Sequence, residues 1–451
     1  MIRKPWLLPI LVGCPVLASG ADATVRLLTL DPGHFHAALI QKEMYPGVAE
    51  TAHVYAPLGP DLLLHLGRVA GFNSRAERPT RWQLEVHTGG DPLARMLEEK
   101  RGNVVVISGR NRGKIDRILA SVEAGLNVLA DKPWLIEEAD LPKLQKALDT
   151  AEKKGLVAYD VMTERYEITT ILQRELVGDP EVTGKVLPGT REEPALYMDS
   201  VHQLSKVAAG SQLVRPAWFF DTNEQGEAIA DVGTHLVDLV PFILFPEQSL
   251  AETDQHLLAA KRWPTVLSRE QLLRVIGEKV VPSALSTQMK EDRFEYFCNT
   301  RVDYTLRGHH VRLDVRWDYE APAGGGDTHF AVVRGSRSRI EVRQGAPQKW
   351  KTELYVVPAK ADDRAAVLAA LKRRVATLAA RHPGLGVVEE GEELRVTVPD
   401  ALRTGHEAHF AEVTTRFLEY LKQPASLPAR EKANMLAKYA LTTRGAALSK
   451  R

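Results

Sequence analysis

Between Val25 and Val161 short apolar runs alternate with helical stretches, and this alternation constrains the fold more than any other feature. Val25–Leu30 reads as a buried strand, Asp31-Pro32-Gly33 as a turn and His36–Met44 as a helix. Ala52–Ala56 is a second strand, and Gly71–Pro79 is polar and insertion-like. Asn103–Ser108 is a third strand, followed by a turn at Gly109–Asn111 and a helix over Ile115–Ala124 that Gly125 caps. Asn127–Ala130 is a strand ending at Asp131-Lys132-Pro133. A helix over Glu138–Lys154 and a strand over Leu156–Val161 close the unit. Strands and helices in this rhythm predict an α/β fold with a parallel, doubly wound (Rossmann) sheet. Ligands of such sheets bind at the carboxyl ends of the strands, where Gly33, Ser108, Lys132 and Thr163 fall.

The first strand–turn–helix is where a dinucleotide fold places its phosphate loop, because a helix start offers unpaired N–H groups and partial positive charge. A G-x-G-x-x-G loop would put glycines at 31, 33 and 36, and only Gly33 matches. Asp31 brings a carboxylate towards the phosphates, and His36 widens the helix–strand contact. After the second strand the nearest acid is Asp61, displaced from the usual ribose-binding position. His34 and His36 sit at the turn as possible phosphate donors, with His36 alternatively a helix-start residue. Gly33, His34, Phe35, Ser108, Asn111, Asp131 and Lys132 are the candidate cofactor contacts. His53 reads as a structural or surface histidine.

A chain of 451 residues exceeds one core of ordinary size. The reading divides it into 1–20, 24–162, 163–430 and 431–451. A net charge of +1 argues against a nucleic-acid partner or a polybasic membrane patch. The first segment has a basic start, Arg3-Lys4, an apolar run from Trp6 to Ala18, and small residues at Ala18-Ser19-Gly20. That is the anatomy of a secretory signal, so export to a periplasm is expected. Leu11-Val12-Gly13-Cys14 resembles a lipobox, which leaves a lipoprotein anchored through Cys14 as the alternative. If the signal is removed, Cys298 is a lone thiol. No other stretch is apolar for long enough to span a bilayer.

Beyond Val161 the pattern changes. Val311–Trp317 and Ser338–Val342 alternate apolar and polar residues, which predicts an open antiparallel sheet in an α+β domain. Asp363–Arg381 reads as a basic amphipathic helix on an inserted arm, and Arg430–Lys450 as a final helix.

Three motifs in order carry a resemblance. Ala124–Pro133, ending Asp131-Lys132-Pro133, resembles the segment ending Glu-Lys-Pro in the glucose–fructose oxidoreductase/inositol dehydrogenase (Gfo/Idh/MocA) family. Thr163-Glu164-Arg165-Tyr166 resembles the arginine–aromatic pair that opens that family's second domain. Gly226–Asp238 resembles its glycine-rich turn and D-x-G-x-H-x-x-D helix. The resemblance implies NAD or NADP as cofactor, a lysine at position 132 near nicotinamide and substrate, and a carbohydrate substrate. It also implies self-association through the second sheet and a final helix that packs back on the first domain.

Asp231, His235 and Asp238 at i, i+4 and i+7 share one helical face. An N-capping Asp231 with a hydrogen-bonded His235 is the plain alternative. As chemistry, His235 would take the hydroxyl proton of a secondary alcohol as hydride departs, Asp231 would orient it, and Lys132 would stabilise the developing alkoxide. Arg165 either anchors substrate or pairs with an acid between the domains. Tyr166 and Trp218, the latter in Trp218-Phe219-Phe220, are candidates to stack on a sugar ring, and Asp238 supports the helix or touches substrate. No metal is expected, because Asp231/His235 and His406/His409 lack a matching second pair. The chain reads as an exported NAD(P)-dependent oxidoreductase acting on a secondary hydroxyl of a sugar or glycoside. The alternatives are an NAD-dependent glycoside hydrolase using transient oxidation, or a cofactor-free sugar-binding protein.

Overall fold

The structure, a computed structural model, describes residues 24–451 apart from 209 and 210. The expected export signal and Cys14 lie outside the described residues.

The first body follows the strand–helix rhythm: β1 (Leu27–Leu30), α1 (His36–Ile40), β2 (Thr51–Tyr55), α2 (Pro60–Ser74), β3 (Gln83–His87), α3 (Pro92–Glu99), β4 (Val104–Ile107), α4 (Lys114–Glu123), β5 (Asn127–Asp131), α5 (Leu141–Lys154) and β6 (Ala158–Val161). The strands form one parallel sheet in the order β3-β2-β1-β4-β5-β6, with Leu28 opposite His53 on one side and Val105 on the other. Every residue of β1, β4 and β6 is buried, as strands covered on both faces require. The order reverses direction at β1 and β4, which opens the crevice between their carboxyl ends. Gly125 and Gly155 both have positive φ just past α4 and at the end of α5. The polar Gly71–Pro79 stretch, expected as an insertion-like loop, is a loop only beyond Ser74, because α2 continues through that residue.

In the second body the helices are α6 (Ile168–Val177), α7 (Thr222–Gln225), α8 (Val232–Leu244), α9 (Arg269–Ile276), α10 (Ser283–Ser286), α11 (Arg364–Ala379), α12 (His406–Lys422) and α13 (Ala429–Ser449). Its strands are β7 (Leu196–Ser205), a ribbon of β8 (Val207–Ala208) and β9 (Ser211–Gln212), then β10 (Gln255–Ser268), β11 (Met289–Lys290), β12 (Arg293–Leu306), β13 (His309–Glu320), β14 (Thr328–Arg334), β15 (Ser338–Gln344), β16 (Glu353–Pro358), β17 (Gly386–Glu390) and β18 (Glu393–Thr397). The large sheet runs β10-β12-β13-β7-β14-β15-β16-β18-β17, with β11 beside β12. It is antiparallel throughout except where β13 lies parallel to β7. That pair needs a crossover, and the chain between the two strands supplies it with α8.

One face of this sheet packs Val302, Tyr304, Leu313 and Ile340 against α6 and α8. The other carries a ladder of ion pairs, Arg301–Asp314, Arg312–Asp303 and Arg316–Asp199. Helix α11, expected on an inserted arm, buries Val367, Leu371, Val375 and Leu378 in the second core. Two helices bind the bodies together. α13 places Met435 and Tyr439 in the first core and Ala437 and Leu441 in the second. α12 packs Phe410, Val413 and Phe417 on Leu39, Val106 and Tyr159 of the first body. Among the described residues no helix is long and apolar enough to cross a membrane.

Candidate active site

Strand β5 delivers Lys132 to the crevice, and α8 delivers Asp231 from the opposite side. Lys132 Nζ donates to Asp231 Oδ1 at 2.7 Å and to the Asp231 carbonyl at 3.1 Å. Asp231 occupies the N-cap position of α8, but its side chain caps nothing and turns to the lysine. Burial opposes its charge, yet Lys132 outweighs burial and holds the carboxyl below its ordinary pKa. His235, one turn along, is pushed down to about 4 by burial and then by Lys132. It is therefore neutral at pH 7, and its Nδ1 has no hydrogen-bond partner among the described residues. Lys132, Asp231 and His235 line one cleft of about 1020 Å³ between the bodies.

The turn after β1 departs from the phosphate-loop pattern in an orderly way. Asp31 adopts φ +49°, the left-handed conformation a first glycine ordinarily supplies. The turn after β4 presses on it, since a Cβ on Gly109 would stand 2.3 Å from the Asp31 carbonyl. At Gly33 a Cβ would meet the Asp61 carboxylate at 3.0 Å and the Trp218 ring at 3.2 Å. The close approach that this glycine permits is thus made by the protein itself. Trp218 Nε1 donates to Asp61 at 3.1 Å, and Arg110 lies 5.6 Å from the Trp218 ring. Asp61 stands at the start of α2, so it reaches the turn through space although its spacing along the chain is irregular.

Asp131 gathers the remaining turn residues. His34 Nδ1 lies 2.8 Å from Asp131 Oδ2, His36 Nδ1 lies 3.0 Å from both carboxylate oxygens, and Ser108 Oγ donates at 3.2 Å. Burial raises the Asp131 pKa, but His36 and His34 outweigh it and leave the carboxyl well below its ordinary value. Burial lowers both imidazoles. His34, Phe35 and His36 line the cleft. Asn111, expected at the cofactor, is instead spent inside the protein. Its Nδ2 donates to the Gln225 carbonyl at 2.7 Å, and its Oδ1 accepts from buried Lys114 at 2.6 Å.

The four expected substrate contacts, Arg165, Tyr166, Trp218 and Asp238, are engaged within the protein. Arg165 forks onto Asp238 at 2.6 and 2.7 Å and onto Glu431 at 2.9 and 3.1 Å. Lys438 completes a buried network by reaching Asp160 at 2.6 Å and Asp238 at 3.0 Å. Arg165 and Asp238 saturate each other and are turned away from the large cleft, although the same helix carries Asp231. Tyr166 packs against the first core, and Trp218 is spent on Asp61 and Arg110. Of the aromatic cluster only Phe219 lines the cleft.

The cleft has polar walls that sequence reasoning did not single out. Glu164 faces His406 at 3.3 Å, and His202 faces Asp327 at 3.5 Å. His329 is pushed down to about 4 by burial. Arg215 lies over the rings of Phe219 and Trp317 at 5.0 and 5.1 Å. Glu164 lies within the Thr163–Tyr166 motif, and His406 starts α12, where spacing alone had suggested only its pairing with His409. His202, Arg215, Asp327 and His329 come from strands and loops with no motif of their own.

A Rossmann sheet joined to a large, mainly antiparallel sheet is the architecture of the Gfo/Idh/MocA-type oxidoreductases. Within that class the chain belongs to the family described as "Putative oxidoreductase C terminal domain", whose pattern matches residues 172–450. A crystal structure of a "putative oxidoreductase" from Parabacteroides merdae is 44% identical, with a TM-score of 0.92, covering 96% of this chain and 99% of that one. D-glucoside 3-dehydrogenase of Escherichia coli is 30% identical over 162 residues, which span 35% of this chain and only 40% of that enzyme. Levoglucosan dehydrogenase in complex with NADH and L-sorbose is 11% identical with a TM-score of 0.57, covering 94% of this chain and 96% of that one, and shares the fold.

Proposed function

We propose that the chain is an NAD(P)-dependent oxidoreductase acting on a secondary hydroxyl of a sugar or glycoside. The observation that carries this reading is the grouping of Lys132, Asp231 and His235 on the wall of a cleft wide enough for a sugar. Two of the similar proteins act, by name, on D-glucosides and levoglucosan. Lys132 and His34 offer polar groups to the nicotinamide end of the cofactor at the carboxyl ends of β5 and β1. At the phosphate end Trp218 and Asp61 stand over Gly33, so seating a dinucleotide there requires the Trp218 segment to move aside. When bound, the cofactor supplies the hydride acceptor.

The chain's own groups divide the rest of the work. Lys132, fixed by Asp231, stabilises negative charge on the substrate oxygen. His235, neutral at working pH, accepts the hydroxyl proton on a ring nitrogen. Asp231 keeps the Lys132 side chain aimed. Export through residues 1–20 and self-association through the second sheet belong to the same reading.

A cofactor-free sugar-binding role is the second reading, and the filled space over Gly33 favours it. The test is calorimetric titration of the full chain with NAD and NADP, followed by a panel of glucosides with absorbance read at the reduced nicotinamide. Saturable dinucleotide binding with glycoside-dependent reduction supports the first reading. Glycoside binding with no response to either dinucleotide replaces it with the second. Release of free sugar without net reduction assigns the transient-oxidation hydrolase.

A further inference from the structure

We propose that His34, His36 and Asp131 form a binding site for one divalent transition-metal ion on the wall of the cleft. The three side chains come from two strand ends, and a ring nitrogen of each histidine and a carboxylate oxygen all lie within 4.8 Å of one another. The nitrogens are 2.8 and 3.0 Å from the carboxylate. A tetrahedral ion with bonds near 2 Å spaces its ligand atoms by about 3.3 Å, so each nitrogen–carboxylate spacing need open by only a few tenths of an ångström. Two imidazoles and one carboxylate suit zinc, cobalt or iron(II) better than calcium or magnesium.

Each neutral imidazole can carry its single ring proton on Nε2 and so present Nδ1 to a metal beside the carboxylate. Outer partners already fix the carboxylate. Ser108 Oγ donates to it at 3.2 Å, and buried Lys114 donates to the Asp131 carbonyl at 3.0 Å. The His36 ring is wedged between His34 at 3.9 Å and Phe410 at 4.6 Å, which sets its plane. The nearby Lys132 ammonium opposes a cation, and the 2.7 Å contact with Asp231 offsets it. Both histidines face the cleft, so an ion has an entry path. Three protein ligands leave a fourth position open, as catalytic rather than structural metal sites do. That position would take water or a sugar hydroxyl or carbonyl oxygen. The site needs no dinucleotide, so it stands or falls separately from the proposed redox role.

The test is titration of the chelator-treated full chain with Co2+, read by calorimetry and by visible absorption of bound cobalt. One ion per chain with a four- or five-coordinate spectrum is expected, and no saturable binding overturns the site. His34→Gln, at the more open ligand, should weaken binding by more than about 100-fold, beyond what loss of an outer partner costs. Circular dichroism confirms that this variant is folded. His53→Gln breaks the other compact cluster, His53–Glu85–His87, and should leave binding unchanged. Binding that survives His34→Gln but is lost in His53→Gln would place the ion at the sheet edge and overturn the proposal.

Discussion

Helix α8 carries two buried aspartates with opposite fates. Asp231 meets one cation, Lys132, and otherwise faces the cleft. Asp238, two turns on, is held by Arg165 and Lys438 together, and Glu431 and Asp160 close the network around them. Both carboxyls lie below their ordinary pKa despite burial, because neighbouring cations outweigh it. Ionisation therefore does not distinguish them. What distinguishes them is access: a charge pair open to a ligand can do work on it, and a saturated one can only join elements. Asp238 joins α8 to α13 and to the segment after β6, and so locks the bodies that form the cleft.

The sharpest way to break this comparison is at its open end. His235→Ala should lower turnover about a hundred- to ten-thousand-fold, the range of a positioned acid–base group. Its melting temperature should stay close to that of the parent. Retained turnover would remove His235 from the mechanism. At the closed end, Arg165→Met leaves Asp238 and Asp160 to Lys438 alone and strips Glu431 of its ion pair. It should cost about 3–5 kcal/mol in urea unfolding while the folded fraction keeps its turnover within a few fold. A variant as stable as the parent but inactive would return Arg165 to the substrate.

The two aspartates also show what was legible in the sequence. Asp231, His235 and Asp238 lie on one helix, so their shared face followed from spacing alone. Which partner each would meet did not, since Lys132 is 99 residues from Asp231 and Glu431 is 266 from Arg165. The apolar strands β1, β4 and β6 announced themselves. The edge strand β3 did not, because Gln83-Leu84-Glu85 is largely exposed and breaks the buried pattern. The phosphate turn looked degraded because glycines were sought where Asp31 adopts their conformation and His36 makes a contact no glycine could make. Its histidines found Asp131 across 97 and 95 residues, beyond any local motif.

Acid separates the regions further. Burial holds His65, which has no hydrogen-bond partner for either ring nitrogen among the described residues, at about 4. Its folded value lies below the unfolded value of about 6.5, so the unfolded chain binds a proton that the native state refuses. Stability is complete above pH 6.5 and falls as the pH drops towards 4. Between pH 7 and 5 this one group should remove about 2 kcal/mol, seen as a lower urea midpoint. His65→Leu should abolish that share of the pH dependence, whereas the loss in Arg165→Met should be nearly the same at both values. Equal acid sensitivity in parent and His65→Leu would assign the effect to other groups.

The smallest effect probes the space over Gly33. Trp218 fills it by donating to Asp61, whose carboxyl is raised by burial even though Arg110 and Trp218 favour its charge. Trp218→Leu removes the donor and the outer ring, at a cost of roughly 1–3 kcal/mol in stability. If the ring must move aside for a dinucleotide, part of the binding energy of the parent is consumed in moving it. The variant should then bind NAD or NADP about three- to tenfold tighter by calorimetry, a gain of about 1 kcal/mol. Weaker binding would make Trp218 a wall of the cofactor site, not a plug in it. Absence of binding in both parent and variant would show that the crevice between β1 and β4 is closed for good, leaving the cleft beside Lys132 as the functional part of the molecule.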